Sequence, residues 1–369
     1  MTSILIIAGL AVAAVVAYLL FKRNPVSETR PVAGSEIDTA NPDPQQAFSE
    51  WDSVLLRALD RIYSGQAATL DMQMTFVHEA PSALAQTGMK GLANAFQKVG
   101  TLHSSLAAVD DPNVSIKELG DLVTRDPLLS SRVLKTVNSP LFRTASDVRS
   151  VHTAVNILGL NNLKNIIAYG VVPQTLYSQT GHRRMFRAIW QHMNSTAITA
   201  SFLAKTRQDL DSGSLYTAGL LHDIGKLMLI LLVRNPEPDA CYPDTLQAEY
   251  EQISATHVQA AKIMAEGGGI PDQLHFLVLS HHLPALLPVS QLDCSAEQAK
   301  SLTILFLANQ IAKLITHQGT LSDNVDMLDR LDPSYHEILP KKEAREMLLS
   351  PGFIRDLVSN VQTVQALLS

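Results

Sequence analysis

The stretch Ala218-Gly219-Leu220-Leu221-His222-Asp223-Ile224-Gly225-Lys226-Leu227 sets an adjacent imidazole and carboxylate inside an apolar run that continues to Val233. Apolar residues on every side of the run read as a buried helix. A buried polar pair is costly unless it is hydrogen-bonded, ion-paired or metal-bound. The pair therefore marks either a metal site or a His-Asp hydrogen bond tying helices together, with Lys226 in helical reach of Asp223 as a second partner.

The surroundings point to helices throughout. Hydrophobic residues make up 46% of the 369 residues and aromatics only 5%, so a large core must be built mainly from Leu and Ala. That balance favours packed helices over a β-sandwich. The net charge of -6, with no long basic block, argues against nucleic acid as partner. Cys241 and Cys294 are the only cysteines, which excludes a disulfide framework or zinc knuckle and fits a reducing compartment.

The first residues differ from the rest. Ile4 to Phe21 is uncharged, with Lys22 and Arg23 directly after it. The run nearly matches the roughly 20 residues that cross a bilayer, and the positive-inside rule puts Lys22-Arg23 in the cytoplasm. We therefore expect a single N-terminal transmembrane helix, residues 1–23, with the remaining chain cytoplasmic. A cleaved leader, with small residues at Ala11 and Ala13, is the alternative. Residues 24–46, with Pro25, Pro31, Pro42 and Pro44, read as a flexible linker.

From 47 to 98 the pattern reads as a helical spacer, with Trp51, Val54, Leu55, Ala58, Leu59 and Ile62 on one stripe. Ser115 caps a helix over Ile116–Thr124, with Glu118 completing a capping box. Pro127 opens a helix that stops at Asn138-Ser139-Pro140. Another starts at Ser150 or Thr153 and ends at Gly159, followed by one over Asn161–Val171. Further helices are expected over Arg184–Thr206, Leu215–Leu232, Thr245–Met264, Asp272–His282 and Ala296–His317, with two more in a C-terminal extension, 319–369.

Several groups on these helices suit metal chemistry. His192, His222, Asp223, His257, His281 and His282 offer neutral imidazoles and a carboxylate, good ligands for Zn, Mn or Fe. A hydrolytic centre needs several such groups and an open position for water. No His-Glu-x-x-His, Cys-x-x-Cys or phosphate-cradling glycine loop is present. Each histidine also has a structural reading, as a core residue or at a helix end. Arg183, Arg184 and Arg187 form a small basic cluster that suits either a solvated face or a phosphate.

In order, His192, His222-Asp223, His257 and His281-His282 resemble the HD superfamily. Asp126-Pro127-Leu128-Leu129-Ser130, Asn138-Ser139-Pro140-Leu141-Phe142 and Ala154-Val155-Asn156-Ile157-Leu158-Gly159 resemble the HDOD domain, the HD-related output domain of bacterial signalling proteins. The resemblance spans about residues 99–318. It implies an all-α, HD-superfamily-like fold in a bacterial signalling context. It also implies metal ligands at His192, His222 and Asp223, with His257, His281 and His282 as a second-metal or ligand cleft. The closing Asp of the superfamily falls on Asn309, which offers a carbonyl oxygen but no charge. The set is thus expected to be a vestigial or weak metal site, without catalytic residues. The cofactor this allows is a divalent metal, Fe, Mn, Zn or Mg, with none fixed by the sequence. The expected work is regulation at the bacterial inner membrane, through a signalling protein partner or a nucleotide ligand. The alternative is a metal-dependent phosphohydrolase acting on a nucleotide or cyclic dinucleotide.

Overall fold

The structure, a computed structural model, describes residues 44–64, 86–91, 111–124, 133–138, 148–171, 180–233, 236–266, 270–315 and 322–358, apart from a few positions within those ranges. The chain divides into two units, 1–43 and 44–369, and the first lies outside the described residues. The expected span at 4–21 falls there. Among the described residues no helix is long and apolar enough to cross a membrane. The Asp126 motif and Ser139-Pro140 also lie outside the described residues.

The described elements are α-helices and short 3-10 turns, with one isolated bridge position at Ile315. The all-α expectation holds among these residues. The first helix, α1 (Pro44–Ile62), buries its whole predicted stripe, Trp51, Val54, Leu55, Ala58, Leu59 and Ile62. Next come α2 (Ile116–Thr124), α3 (Val151–Val171) and α4 (Thr180–Lys205). The capping box of α2 forms as read: Ser115 N–H donates to Glu118 Oε2 at 2.8 Å and Glu118 N–H to Ser115 Oγ at 3.2 Å. Gly159, at φ 75° and ψ 169°, breaks α3 at the predicted stop, in a conformation that costs glycine little.

Two helices expected to be continuous are each divided. The run Leu215–Leu232 becomes α5 (Ser212–Leu221) and α6 (Ile224–Ile230), with Asp223 at φ -103° and ψ 14° between them. The run Thr245–Met264 becomes α7 (Leu246–Ile253) and α8 (His257–Glu266). Ser254 ends α7 in the left-handed region, φ 62°, and Thr256 with Gln259 forms a capping box that starts α8. Helix α9 (His275–Ser280) is shorter than the expected Asp272–His282. Helix α10 (Ala296–Lys313) starts as expected and ends four residues earlier than His317. Lys341–Leu348, α11, follows in the C-terminal segment.

Helix α4 is the centre, packed on α5 and α10; α6 lies on α8, α8 on α9, and α9 on α10. Helix α1 packs against α11 and α10. Leu331 N–H donates to the Ile62 carbonyl at 2.9 Å and the Tyr63 hydroxyl donates to the Leu339 carbonyl at 2.9 Å. The segment read as a spacer thus shares a core with the segment read as a C-terminal extension. Leu55, fully buried on α1, tests this. Leu55→Ala is expected to cost about 2–5 kcal/mol in urea denaturation of the full chain. A loss near zero would mean that α1 contributes nothing to the core.

Candidate metal centre

The break between α5 and α6 places His222 and Asp223 outside regular helix. Asp223 heads α6 without capping it through its side chain, and its carboxylate turns toward the surrounding histidines. Gly225 makes the approach possible. A Cβ there would drive into the carbonyl oxygen of His257, so glycine lets α6 lie against the start of α8 and brings Asp223 to His257.

Four imidazole Nε2 atoms surround the Asp223 carboxylate. His192 and His222 lie 3.4 and 3.3 Å from Oδ2, and His257 and His281 lie 3.2 and 3.6 Å from Oδ1. His192 and His222 are 3.2 Å apart, His257 and His281 3.3 Å, and His282 and His257 3.0 Å, all Nε2 to Nε2. The six side chains predicted from sequence therefore converge. They form two triads, His192-His222-Asp223 and His257-His281-His282, joined by Asp223.

The outer nitrogens fix the tautomers. His222 Nδ1 donates to the Gly219 carbonyl at 2.7 Å and His281 Nδ1 to the Val278 carbonyl at 2.7 Å. A carbonyl cannot donate, so Nδ1 carries the hydrogen in both rings, and an imidazole in its neutral form then turns the Nε2 lone pair inward. His257 Nδ1 meets Glu249 Oε1 at 2.7 Å, and Glu249 Oε2 also accepts the His257 backbone N–H at 2.8 Å. Lone pairs and a carboxylate pointing into one space repel one another unless a cation or protons lie between them.

The spacing fits a divalent cation. Ligands 2.0–2.2 Å from a tetrahedral ion stand about 3.3–3.6 Å apart, close to the 3.2–3.4 Å within the first triad. The carboxylate-histidine pair of Glu249 and His257 is the usual outer support of a metal-bound imidazole.

Burial drives the titration. It pushes His192 down to about 3, with Asp223 opposing the shift and His222, Lys226 and Lys313 adding to it. Burial also holds His281 and His282 well below the usual imidazole range. For Asp223, burial raises the pKa, but His222, Lys226 and His257 outweigh it and hold the carboxyl well below its ordinary range. Lys226 Nζ lies 2.7 Å from Asp223 Oδ2.

A cleft of about 320 Å³ opens over the first triad, lined by His192, Asp223, Lys226, Arg184, Lys313 and Tyr242 on its polar side. Arg184 of the predicted basic cluster thus reaches the site, while Arg183 and Arg187 do not line it. The Lys226 ammonium stands 5.7 Å from the centre of the Tyr242 ring. Asn309, buried on α10, does not line the cleft, and its Oδ1 has no hydrogen-bond partner. It sits one turn before Lys313, which does line it. Glu249, Tyr242 and Lys313 join the site without a motif in the sequence to mark them. For Glu249 the available signal was an acidic residue three positions after Leu246 on the apolar face of α7.

Residues 98–284, just over half of the chain, match the HDOD domain family, and the chain belongs to that family. An uncharacterized protein of Treponema pallidum (strain Nichols) is 26% identical over 185 residues, 47% of this chain and 35% of the relative. The chain therefore spans about a third of that curated relative's length. A crystal structure of an HDOD domain protein with unknown function from Geobacter sulfurreducens is 21% identical, covering 76% of this chain and 98% of that one, with a TM-score of 0.48.

Two outcomes are expected. Unfolded histidines titrate near 6.5, above the folded values of His192, His281 and His282, so at these three the unfolded chain binds more protons as the pH drops below about 6.5. Stability of the metal-free protein should be full above that pH and fall through the window toward about 3 for His192, by up to about 1.4 kcal/mol per pH unit for each such histidine. Asp223, with its lowered pKa, adds a loss in the same direction below about 4. Thermal melts between pH 7.5 and 5 check this. Gly225→Ala should destabilise by about 1–3 kcal/mol or more through overpacking, read by the same melts.

Proposed function

We propose that this HDOD domain is a metal-dependent phosphohydrolase whose two triads, His192-His222-Asp223 and His257-His281-His282, meet at Asp223. One observation carries the reading: four imidazole Nε2 atoms lie 3.2–3.6 Å from the oxygens of one buried carboxylate. His192, His222 and Asp223 would hold one divalent ion, and His257, His281 and His282 a second, with Asp223 between them. Bound divalent ions supply Lewis-acid charge to a phosphoryl group and its attacking water. The chain's own groups supply the rest. Arg184, Lys226 and Lys313 line the cleft with Asp223; Lys313 is paired with Asp329 at 2.6 Å and Lys226 with Asp223 at 2.7 Å, and the cationic side chains together suit an anion such as phosphate. Tyr242 walls the same cleft, and Glu249 fixes the His257 ring. A nucleotide or cyclic dinucleotide is the substrate class this chemistry would take.

A second reading has its own support. Asn309 brings no charge where the superfamily's closing carboxylate is expected, and Lys226 already neutralises Asp223 at 2.7 Å. On that reading the domain binds a nucleotide or a signalling protein partner and relays a signal without turnover. The uncharged run at 4–21 supports a further part of the proposal, that the chain is tethered to the bacterial inner membrane with the domain in the cytoplasm.

The test separates the two readings. The full chain, purified without a histidine tag, is stripped with chelator and reloaded with Mn, Fe, Zn or Mg. Bound metal is counted, and cleavage of bis-p-nitrophenyl phosphate, nucleotides and cyclic dinucleotides is followed. The hydrolase reading expects stoichiometric metal and turnover that falls to background in Asp223→Asn. Tight metal with no turnover of any phosphoester in the reloaded chain would favour the regulatory reading.

A further inference from the structure

The two triads differ in what surrounds them. Among the described residues, the ion-pair contacts of Asp223 Oδ1 are imidazoles, His257 at 3.2 Å and His281 at 3.6 Å. Beside that oxygen His257 is 1% exposed and His281 fully buried, the third member His282 is half-buried, and none of the three lines the cleft. The Glu249 carboxylate, itself 1% exposed, holds the His257 ring from behind. A buried carboxylate behind an imidazole adds negative charge and fixes its direction, both of which favour a cation on the other ring nitrogen.

Oδ2 is different. It faces His192 and His222, but the Lys226 ammonium is closer than either, at 2.7 Å. Lys226 reaches back from the first turn of α6, three residues on, and lines the cleft beside His192. An ion entering the cleft-facing triad must share this oxygen with a fixed positive charge or displace it. Two cations within a few ångströms in a partly desolvated site repel strongly. The Tyr242 ring gives the displaced ammonium an adjacent resting place, since Lys226 Nζ already lies 5.7 Å from its centroid.

From these contacts we infer that the triads are inequivalent, with His257-His281-His282 the tight site and His192-His222-Asp223 a weak site that Lys226 holds closed as a built-in competing cation. The inference rests on the metal-binding part of the function proposed above and adds an order of filling. The ion that would meet a ligand in the cleft is the one that Lys226 controls.

The test is a Co(II) titration of the chelator-stripped full chain, followed by visible absorption and calorimetry, with no turnover needed. The unmodified chain should bind in two classes at least about tenfold apart. Lys226→Met and Lys226→Gln should tighten the weak class by about 5- to 150-fold, the range of ordinary site-to-site coupling, and leave the tight class within about threefold. Glutamine keeps a hydrogen-bonding group against Asp223 if methionine impairs folding. Lys226→Arg should keep the two classes. Glu249→Gln should weaken the tight class by about 10- to 100-fold. Lys313→Met, which removes a cation from the same cleft but not from Asp223, should shift the weak class by less than about threefold. A single class in the unmodified chain, or a weak class unmoved or weakened by both neutral Lys226 substitutions, overturns the inference while the metal centre stands. No Co(II) bound by any form overturns both.

Discussion

Everything at the centre of this domain depends on one carboxylate in a ring of imidazoles. Asp223 is 1% exposed and is approached by four histidine nitrogens and a lysine. Burying an ion costs several kcal/mol unless its neighbours compensate. Here the neighbours come from α4, the α5–α6 junction, the start of α8 and the end of α9. The packing of these helices and the electrostatics of the site are therefore one problem. Gly225, the Ser254 break and the Thr256 capping box each serve that convergence: the first allows close approach, and the others aim His257.

Much of this was legible in the sequence. The amphipathic stripe of α1, the capped helix Ile116–Thr124 and the Gly159 stop rest on local rules of periodicity, capping and backbone freedom, and the structure follows them. The six histidine and aspartate side chains could be named because metal-ligating residue types are rare in apolar surroundings. The two broken helices could not be read the same way. Leu215–Leu232 is apolar on both sides of His222-Asp223, so its periodicity runs on across the junction, and only the pull of distant histidines marks the break. At Ser254 a signal existed in Thr256-His257-Val258-Gln259, but the apolar pattern of Ala255, Val258 and Ala261 masked it.

The outer support was less visible still. Glu249 looks like any acidic residue on a helix until the fold sets it under His257. Lys313 and Tyr242 join the site through elements far away in sequence. Such groups are defined by what they face, and one sequence does not carry that. Asn309 illustrates the reverse. Its identity stands in the sequence, yet its position, one turn before Lys313 with an unpaired buried oxygen, is a property of the packing of α10.

The clasp between the two ends of the described unit has its own consequence. Ile62 and Tyr63 hold Leu331 and Leu339 by backbone and hydroxyl hydrogen bonds, and α1 covers α10, the helix that carries Asn309 and Lys313. A fragment cut to the family's own borders, 98–284, would lack both halves of this buckle and α10 as well. It would strip one wall from the cationic cleft, so the smallest intact unit of this chain is wider than the domain that identifies it.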